Sequence, residues 1–158
     1  CTTDLYATLA DILGQHQAIP AHAAEDSFTI LPALEGVAHR KPLRPFTIHH
    51  SINGSFAIRR GPWKLILCPG SGGWSAPRPA QALKNKELPP VQLFNLADDP
   101  GEQTNLSAKE PQRVQELVAQ LATAIRNGRT NPGPKQSNEG WPATFHNRVL
   151  SAFPELRN

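Results

Sequence analysis

The feature that most constrains the fold of this chain is a set of four short segments rich in β-branched and aromatic residues, separated by turn signals. Asn53-Gly54 separates the first two segments and Gly61-Pro62 the next two, and both dipeptides are typical of tight turns. A long loop rich in glycine and proline precedes the fourth. The segments are 46–50, 55–59, 63–68 and 91–95. Because short connections pair consecutive strands antiparallel, the pattern predicts a small antiparallel sheet.

A short amphipathic helix is predicted near the start of the sequence. Its apolar residues fall on one helical face: Leu5, Leu9, Ile12 and Leu13. Thr3 is placed to cap the first turn, Asp4 suits the positive end of the helix, and Gly14 follows the last turn. Such a short helix needs neighbours to be stable.

A longer amphipathic helix is predicted after the fourth strand. Residues 107–110 have the form of a capping box, and Gly128 is placed to end the helix. The apolar residues at helical spacing are Val114, Leu117, Val118, Leu121 and Ile125. The fold class is therefore α+β: a small antiparallel sheet of about four strands packed by a C-terminal amphipathic helix, plus a short N-terminal helix and an irregular C-terminal tail.

Three parts follow from this organisation. Residues 1–45 form a linker with the short helix, residues 46–128 form a subdomain of sheet plus helix, and residues 129–158 form the irregular tail. The tail carries Trp141, Phe145 and Phe153, which are placed to anchor it to another surface. Residues 69–90 form a loop of more than 20 residues without periodicity, and loops of that length are usually functional or disordered.

Composition excludes some classes of protein. The net charge is +3, but the basic residues are scattered and form no dense strip, so we expect no nucleic-acid partner. No apolar run approaches about 18 residues, so we expect no membrane span. Cys1 and Cys68 allow at most one disulfide and have no metal-ligand spacing. Because the sequence starts on cysteine rather than methionine, we expect it to be a piece of something longer.

Four motifs, in order along residues 4 to about 126, resemble those near the end of arylsulfatase-type sulfatases. The most specific is residues 93–106, LFNLADDPGEQTNL, which is similar to the family's Leu-Tyr-Asp-Leu-x-x-Asp-Pro-x-Glu-x-x-Asn-Leu turn. Residues 58–65, IRRGPWKL, resemble its Arg-x-Gly-x-Trp/Tyr-Lys-Leu stretch. Residues 4–14 resemble a helix of the family, with Ala7 where proline is usual, and residues 25–36 resemble the link that follows.

The resemblance implies the C-terminal part of a formylglycine-dependent sulfatase of the alkaline-phosphatase-like superfamily. Residues 1–45 would then come from the end of its main domain. Neither Cys1 nor Cys68 stands in the Cys/Ser-x-Pro-x-Arg motif that matures to formylglycine, and no Asp-Asp-x-Gly metal strand is present. We therefore expect no catalytic residue, metal site or cofactor in this chain. Calcium and formylglycine are expected in the catalytic domain, which is the expected partner.

His49, His50 and Trp74 are the candidate substrate-binding residues. The family's equivalent of the first strand lies near the rim of the active-site cleft, and side chains alternate along a strand, so only one of the two histidines faces any given site. Trp74, on a glycine-rich loop, is an aromatic platform for a sugar or aryl group. For each residue the alternative is an ordinary surface or packing role.

Two sets of charged residues have a structural interpretation beside a ligand-binding one. Asp98, Asp99 and Glu102 lack the order of a calcium loop and are interpreted as turn-forming and helix-capping residues. Three basic residues, Arg59, Arg60 and Lys64, have the charge to contact a sulfate, yet strand cations commonly protect a sheet edge.

The leading hypothesis is a sulfatase C-terminal subdomain that shapes the cleft for a sulfated small molecule or glycan and is inactive alone. The alternative is a stand-alone module that binds an anionic, sulfated polymer, which the net positive charge favours. The first hypothesis predicts that the first helix and one face of the sheet are unusually apolar where they meet the catalytic domain. The family resemblance implies a periplasmic or secreted location.

Overall fold

A computed structural model describes residues 1–38, 41–138 and 145–157 of the chain. It contains one four-stranded antiparallel sheet in the order β1-β2-β3-β4, so each strand pairs with its neighbour in sequence. The strands are β1 (Thr47–His50), β2 (Phe56–Arg60), β3 (Trp63–Ile66) and β4 (Gln92–Asn95). The predicted meander and the α+β class are confirmed.

The described helices are few and mostly short. They are α1 (Leu5–Ile12), α2 (Leu31–Leu34), α3 (Pro79–Lys84), α4 (Pro111–Asn127) and α5 (Asn147–Ala152), with 3-10 turns at Thr2–Asp4, His16–Ala18 and Pro154–Leu156. None of the helices in the described ranges is long and apolar enough to cross a membrane.

The chain forms two compact units. The first comprises Cys1–Pro45 and Ala124–Trp141, and the second comprises Phe46–Thr123 and Pro142–Asn158. Within the first unit, the buried guanidinium of Arg129 donates to the carbonyl oxygens of Ala21 at 3.0 Å and Pro134 at 2.8 Å. The side-chain amide of Asn131 donates to the carbonyl of Ala24 at 2.7 Å, so the segment after α4 is tied to the segment after α1.

The core of the second unit lies on one face of the sheet. Ile58, Leu65 and Leu93 are neighbours in register across β2, β3 and β4, and each is fully buried. Of the apolar residues predicted on one side of α4, Ile125 is half-buried and the others are buried: Val114, Leu117, Val118 and Leu121. Ala122 and Ala124 of α4 are buried as well.

Two side-chain contacts hold α4 on this face. Arg60 of β2 pairs with Glu116 at 2.6 Å, and the guanidinium of Arg113 lies 4.5 Å from the ring centre of Trp63. Arg60, predicted to be either a solubilising residue or a sulfate contact, therefore pairs with a helix carboxylate.

The C-terminal tail departs from the expected irregular form, because α5 and a 3-10 turn occupy part of it. Val149, Phe153 and Leu156 are buried there and supply the apolar contacts that stabilise such short elements. Trp141, predicted to anchor the tail, lies outside the described residues. The long loop also contains α3, whose apolar residue Ala82 is buried.

Two local predictions were wrong in detail. Ser107 does not cap α4; the backbone turns once between Leu106 and Glu110, and the helix begins with Pro111, where a missing N–H costs nothing. Thr3 does not cap α1, because it lies within a 3-10 turn. The predicted turn at Asn53-Gly54 does connect β1 and β2, and Gly54 has φ of +81°.

Candidate functional site

The two histidines at the end of β1 point to opposite faces of the sheet, as strand geometry requires. His49 is opposite Ala57 in register, and His50 is opposite Phe56. Both imidazoles are exposed. The pair therefore belongs to two different surfaces, and the prediction that only one can serve a given site agrees with this arrangement.

His49 lies on a positively charged face of the sheet, the face opposite α4. Arg59 and Lys64 are directly paired across β2 and β3 on the same face. Partial loss of hydration lowers the pKa of His49, and the positive charges of Lys64 and Arg59 lower it further, while Glu102 opposes them. Below, "the basic face" means His49, Arg59 and Lys64.

The basic face is more polar than the apolar sheet surface that was expected for the catalytic domain. The exposed or half-buried residues of this face include Thr47, Arg59 and Lys64, and an ion pair of 2.6 Å joins Lys64 to Glu102. Phe94 is buried on the same side. Charged residues with some apolar surface between them are suited to an anionic ligand rather than to a dry interface.

His50 belongs to an aromatic group on the other face. Its ring packs edge-on against Phe56, with centroids 4.1 Å apart and planes at 74°. Phe56 in turn stacks on Phe145, with centroids 4.9 Å apart and planes at 28°. Phe145, predicted as an anchoring aromatic of the tail, thus contacts the sheet.

A cavity of about 250 Å³ adjoins this aromatic group. It is formed by the β1–β2 connection, the start of the long loop, α3 and the segment before α5. Its lining includes Asn53, Ser55, Cys68, Phe145 and His146. His146 was not singled out from the sequence, because an isolated histidine in a tail carries no spacing signal; its proximity to the aromatic Phe145 was the one available hint.

The loop that carries Trp74 packs against the β1–β2 connection. Gly72 has φ of +65°, and a Cβ atom there would lie 2.8 Å from the hydroxyl oxygen of Ser51, so glycine is required. The side-chain amide of Gln92 donates to the carbonyl oxygens of Cys68 and Gly70 at 2.9 and 2.8 Å and fixes the start of the loop. Trp74 itself is 81% exposed and does not line the cavity.

The acidic turn after β4 is organised by its own hydrogen bonds. The carboxylate of Asp99 accepts the backbone N–H groups of Gln103 at 3.0 Å and Thr104 at 2.8 Å, and these bonds lower its pKa. Asp98 accepts from the side chain of Asn95 at 2.6 Å. Glu102 pairs with Lys64. These contacts are those of turn-forming residues, and no group of three or more metal-binding side chains is found in the described ranges.

Neither cysteine has the setting of a sulfatase nucleophile. Cys68 is buried, and its thiol donates to the carbonyl oxygen of Gly70 at 3.1 Å. Cys1 is exposed, and both thiols are free. The described residues therefore do not fit formylglycine or its calcium ion.

Comparisons with known proteins agree with the fold. The family model of the C-terminal region of aryl-sulfatase matches residues 42–151, well over half of the chain. A solved structure from Bacteroides thetaiotaomicron, designated 6S-sulf in work on the metabolism of multiple glycosaminoglycans, is 30% identical with a TM-score of 0.59. This chain covers 24% of it, with 77% of its own length aligned.

A second solved structure, BT1596, a 2-O GAG sulfatase, is 21% identical with a TM-score of 0.50. It aligns with 89% of this chain, which covers 31% of it. The chain thus spans about a quarter to a third of the sulfatase structures that it resembles. With the match to residues 42–151, these findings establish that the chain belongs to the sulfatase family, as a C-terminal region of the aryl-sulfatase type.

Proposed function

We propose that this chain is the C-terminal subdomain of a sulfatase, which docks on a catalytic domain and forms one wall of the cleft for a sulfated glycan. Hydrolysis of the sulfate ester would be the work of the catalytic domain. The family match and the glycosaminoglycan sulfatases among similar structures support the substrate class. By family resemblance, the parent enzyme is periplasmic or secreted.

The observation that carries the docking proposal is that α1 is amphipathic with its apolar side outward. Its buried residues are Ala7 and Thr8, and Asp4, which precedes it, is also buried. The exposed large apolar side chains are 52% to 72% exposed: Leu5, Tyr6, Leu9, Ile12 and Leu13. A contiguous apolar surface of this kind marks an interaction site.

Polar bonds fix this orientation of α1. Asp4 accepts from the backbone N–H of Phe28 at 2.9 Å and pairs with Arg44. Ser27 accepts from the N–H of Ala7 at 2.9 Å. The hydroxyl of Thr8 donates to the carbonyl of Asp4 at 2.6 Å. Because the polar side is satisfied within the chain, the apolar side is left for a partner, and the expected catalytic domain is that partner.

Substrate contact is proposed for His49, His50 and Trp74, from two surfaces. The basic face suits a sulfate group, because Arg59 and Lys64 supply charge beside the imidazole of His49. His50, on the opposite face of the sheet, and the exposed Trp74 would offer imidazole and aromatic surface to the sugar. Calcium and formylglycine are assigned to the catalytic domain, since the residues here do not fit them.

A chimeric enzyme tests the docking proposal. The C-terminal region of the similar Bacteroides thetaiotaomicron protein is replaced by this chain, and hydrolysis of a sulfate ester is measured. We expect a soluble, active chimera, and loss of activity when Leu9→Glu and Ile12→Glu are introduced together. Full activity of the double variant would contradict docking through α1. A matched control, Gln115→Glu on the exposed side of α4, is expected to leave activity unchanged.

The same experiment is paired with an assay of this chain alone. With an aryl sulfate and calcium, the isolated chain is expected to give no turnover above background, and turnover would refute the assignment of catalysis to another domain.

The net positive charge and the basic face favour a second candidate, a stand-alone module that binds a sulfated polymer. Retention on heparin at low salt is expected from either proposal, with weaker retention at higher salt. The chimera distinguishes the two proposals. A docking subdomain is expected to give an active chimera, whereas a stand-alone module is not expected to support hydrolysis by the catalytic domain. Loss of retention in Lys64→Met, compared with Lys109→Met as a control on the exposed segment before α4, would locate binding on the basic face.

A further inference from the structure

The cavity of about 250 Å³ beside Phe145 has no part in the proposed function. We infer that it is a binding site for one uncharged sugar ring. The inference rests on the proposed function only in that the ring would be a unit of the same glycan, and its test uses a sugar without sulfate.

The size of the cavity sets the size of the ligand. A cavity of about 150 Å³ holds benzene, whereas sites for drug-sized ligands begin at about 300 Å³. A volume of about 250 Å³ therefore admits one six-membered ring with its substituents, and the rest of a glycan would lie outside the cavity.

An aromatic wall is present. One side of the Phe145 ring is covered by Phe56, at a centroid distance of 4.9 Å, and Phe145 also lines the cavity. The His50 ring packs edge-on against Phe56, with ring centroids 4.1 Å apart. Aromatic faces carry partial negative charge, so they attract the weakly positive C–H groups on the flat side of a sugar ring.

Polar groups suited to hydroxyls lie around that wall. The Oδ1 atom of Asn53 accepts from the hydroxyl of Ser51 at 2.6 Å and from the N–H of Ser55 at 3.0 Å. Its Nδ2 group donates to none of the described residues, and the hydroxyl of Ser55 has no partner among them. Nδ1 of His146 accepts the N–H of Arg148 at 3.2 Å, which leaves Nε2 as the donor of the neutral ring.

The described lining of the cavity favours an uncharged ligand. No carboxylate, ammonium or guanidinium is among the described residues that line the cavity. A sulfate placed there would be desolvated without a counter-charge, which is costly. The charged part of a glycan would be held elsewhere.

The walls are closely packed. A Cβ atom on Gly70 would lie 2.5 Å from the Cβ of Ala82, and one on Gly72 would lie 2.8 Å from the hydroxyl oxygen of Ser51. The loop therefore touches both α3 and the β1–β2 connection, and the cavity is formed before any ligand arrives, which lowers the cost of binding.

The test is an NMR titration of the 158-residue chain with methyl β-glucopyranoside. We expect shifts of the backbone amides near 53, 70, 72 and 145–146, with a dissociation constant of about 1–10 mM, as a single small ring with few contacts allows. Phe145→Ala is expected to weaken binding at least about tenfold. Gln115→Ala, on the exposed side of α4 and outside the cavity, is the control and is expected to bind like the parent.

A second variant keeps the inference falsifiable if Phe145→Ala does not fold. Asn53→Asp retains the Oδ1 acceptor that holds the turn and removes the Nδ2 donor, and it is expected to weaken binding about threefold.

Three results would overturn the assignment. One is the lack of any shift with folded chain at about 50 mM sugar, a concentration well above the expected constant. Another is binding that a folded Phe145→Ala variant retains in full. The third is binding of benzyl alcohol at this site without binding of the sugar, which would make the cavity an apolar pocket. None of these results bears on docking to the catalytic domain, because the probe carries no sulfate and the chain is tested alone.

Discussion

Lys64 of β3 donates to the carboxylate of Glu102 over 2.6 Å, which links the sheet to the acidic turn after β4. Glu102 has φ of +54°, a conformation that residues with a Cβ rarely adopt. The ion pair offsets part of the positive charge around His49. Lys64 belongs to the family motif at residues 58–65 and Glu102 to the motif at residues 93–106. The ion pair therefore joins the two motifs at the basic face.

That arrangement predicts the titration of His49. Its pKa is expected below the ordinary value of 6.5, as measured by NMR, because partial desolvation and the charges of Lys64 and Arg59 disfavour the imidazolium. Lys64→Met should raise the pKa of His49, and Glu102→Gln should lower it further, because it removes a neighbouring negative charge. Added salt should move the pKa toward 6.5.

The lowered pKa of His49 determines how its contribution to stability changes with pH. With a lower pKa folded than unfolded, the unfolded chain binds the proton more readily, so His49 makes stability fall as pH drops through about 6.5 toward the folded pKa. His49→Gln should remove this slope. An unchanged His49 pKa in Lys64→Met would show that the basic face does not act on the imidazole.

Asp4, in the first unit, is expected to make a second pH-dependent contribution to the stability of the fold. Burial alone raises the pKa of its carboxyl, but the hydrogen bonds from Arg44 and from the N–H of Phe28 outweigh burial and lower it. The stability that Asp4 contributes is present above its unfolded pKa of about 3.8 and is lost as pH falls through the lower folded value.

Asp4→Asn is therefore expected to cost about 3 kcal/mol at pH 7, because it leaves the charge of Arg44 without its partner. It should also flatten the acid limb of the pH profile. Urea unfolding at pH 7 and pH 3 measures both effects, with Asp11→Asn, a partly exposed carboxylate on α1, as the control. Equal losses in the two variants would show that the Asp4–Arg44 pair has no special contribution.

The side chain of Asn105 is expected to stabilise the family's most specific motif, residues 93–106. Its Oδ1 accepts from the N–H groups of Leu93 at 3.0 Å and Ser107 at 2.9 Å, and its Nδ2 donates to the carbonyl of Val91 at 3.2 Å. Asn105→Ala should cost about 2 kcal/mol, since partly buried backbone groups lose their partners. Asn105→Asp keeps both acceptor bonds and should cost about half as much. The measurement is the urea midpoint of unfolding, compared at an unchanged dependence of the unfolding free energy on urea concentration. Equal destabilisation by Asn105→Ala and Asn105→Asp would mean that the acceptor bonds contribute nothing.

Patterns with a short sequence range were predictable. The alternation along β2 and β3 and the helical spacing of Leu117, Val118 and Leu121 specify which side chains are buried, because burial of one face dominates the energy of such elements. The glycine of the Asn53-Gly54 turn was equally readable, since Gly54 occupies a positive φ.

Relations across long stretches of sequence were not predictable. Phe145 reaches Phe56, 89 positions earlier, through a contact that neither local pattern indicates. The outward apolar side of α1 was predicted only from the family. By spacing alone those residues read as a core face, and the choice was decided by Asp4 and Thr8, whose polar bonds hold the other side inward.

The two sides of α1 give the last prediction. Replacing exposed Leu9 with Lys removes no buried contact, so the free energy of unfolding should change by less than about 0.5 kcal/mol. Its neighbour Thr8 is buried, and its hydroxyl oxygen accepts the N–H of Ile30 at 3.1 Å. Thr8→Val should therefore cost about 1–3 kcal/mol, although valine is the more apolar residue. A dye that fluoresces on apolar surfaces should bind Leu9→Lys less than the parent chain. If Leu9→Lys were the more destabilising of the two, the apolar side of α1 would be part of the core, and the docking surface would have to lie elsewhere.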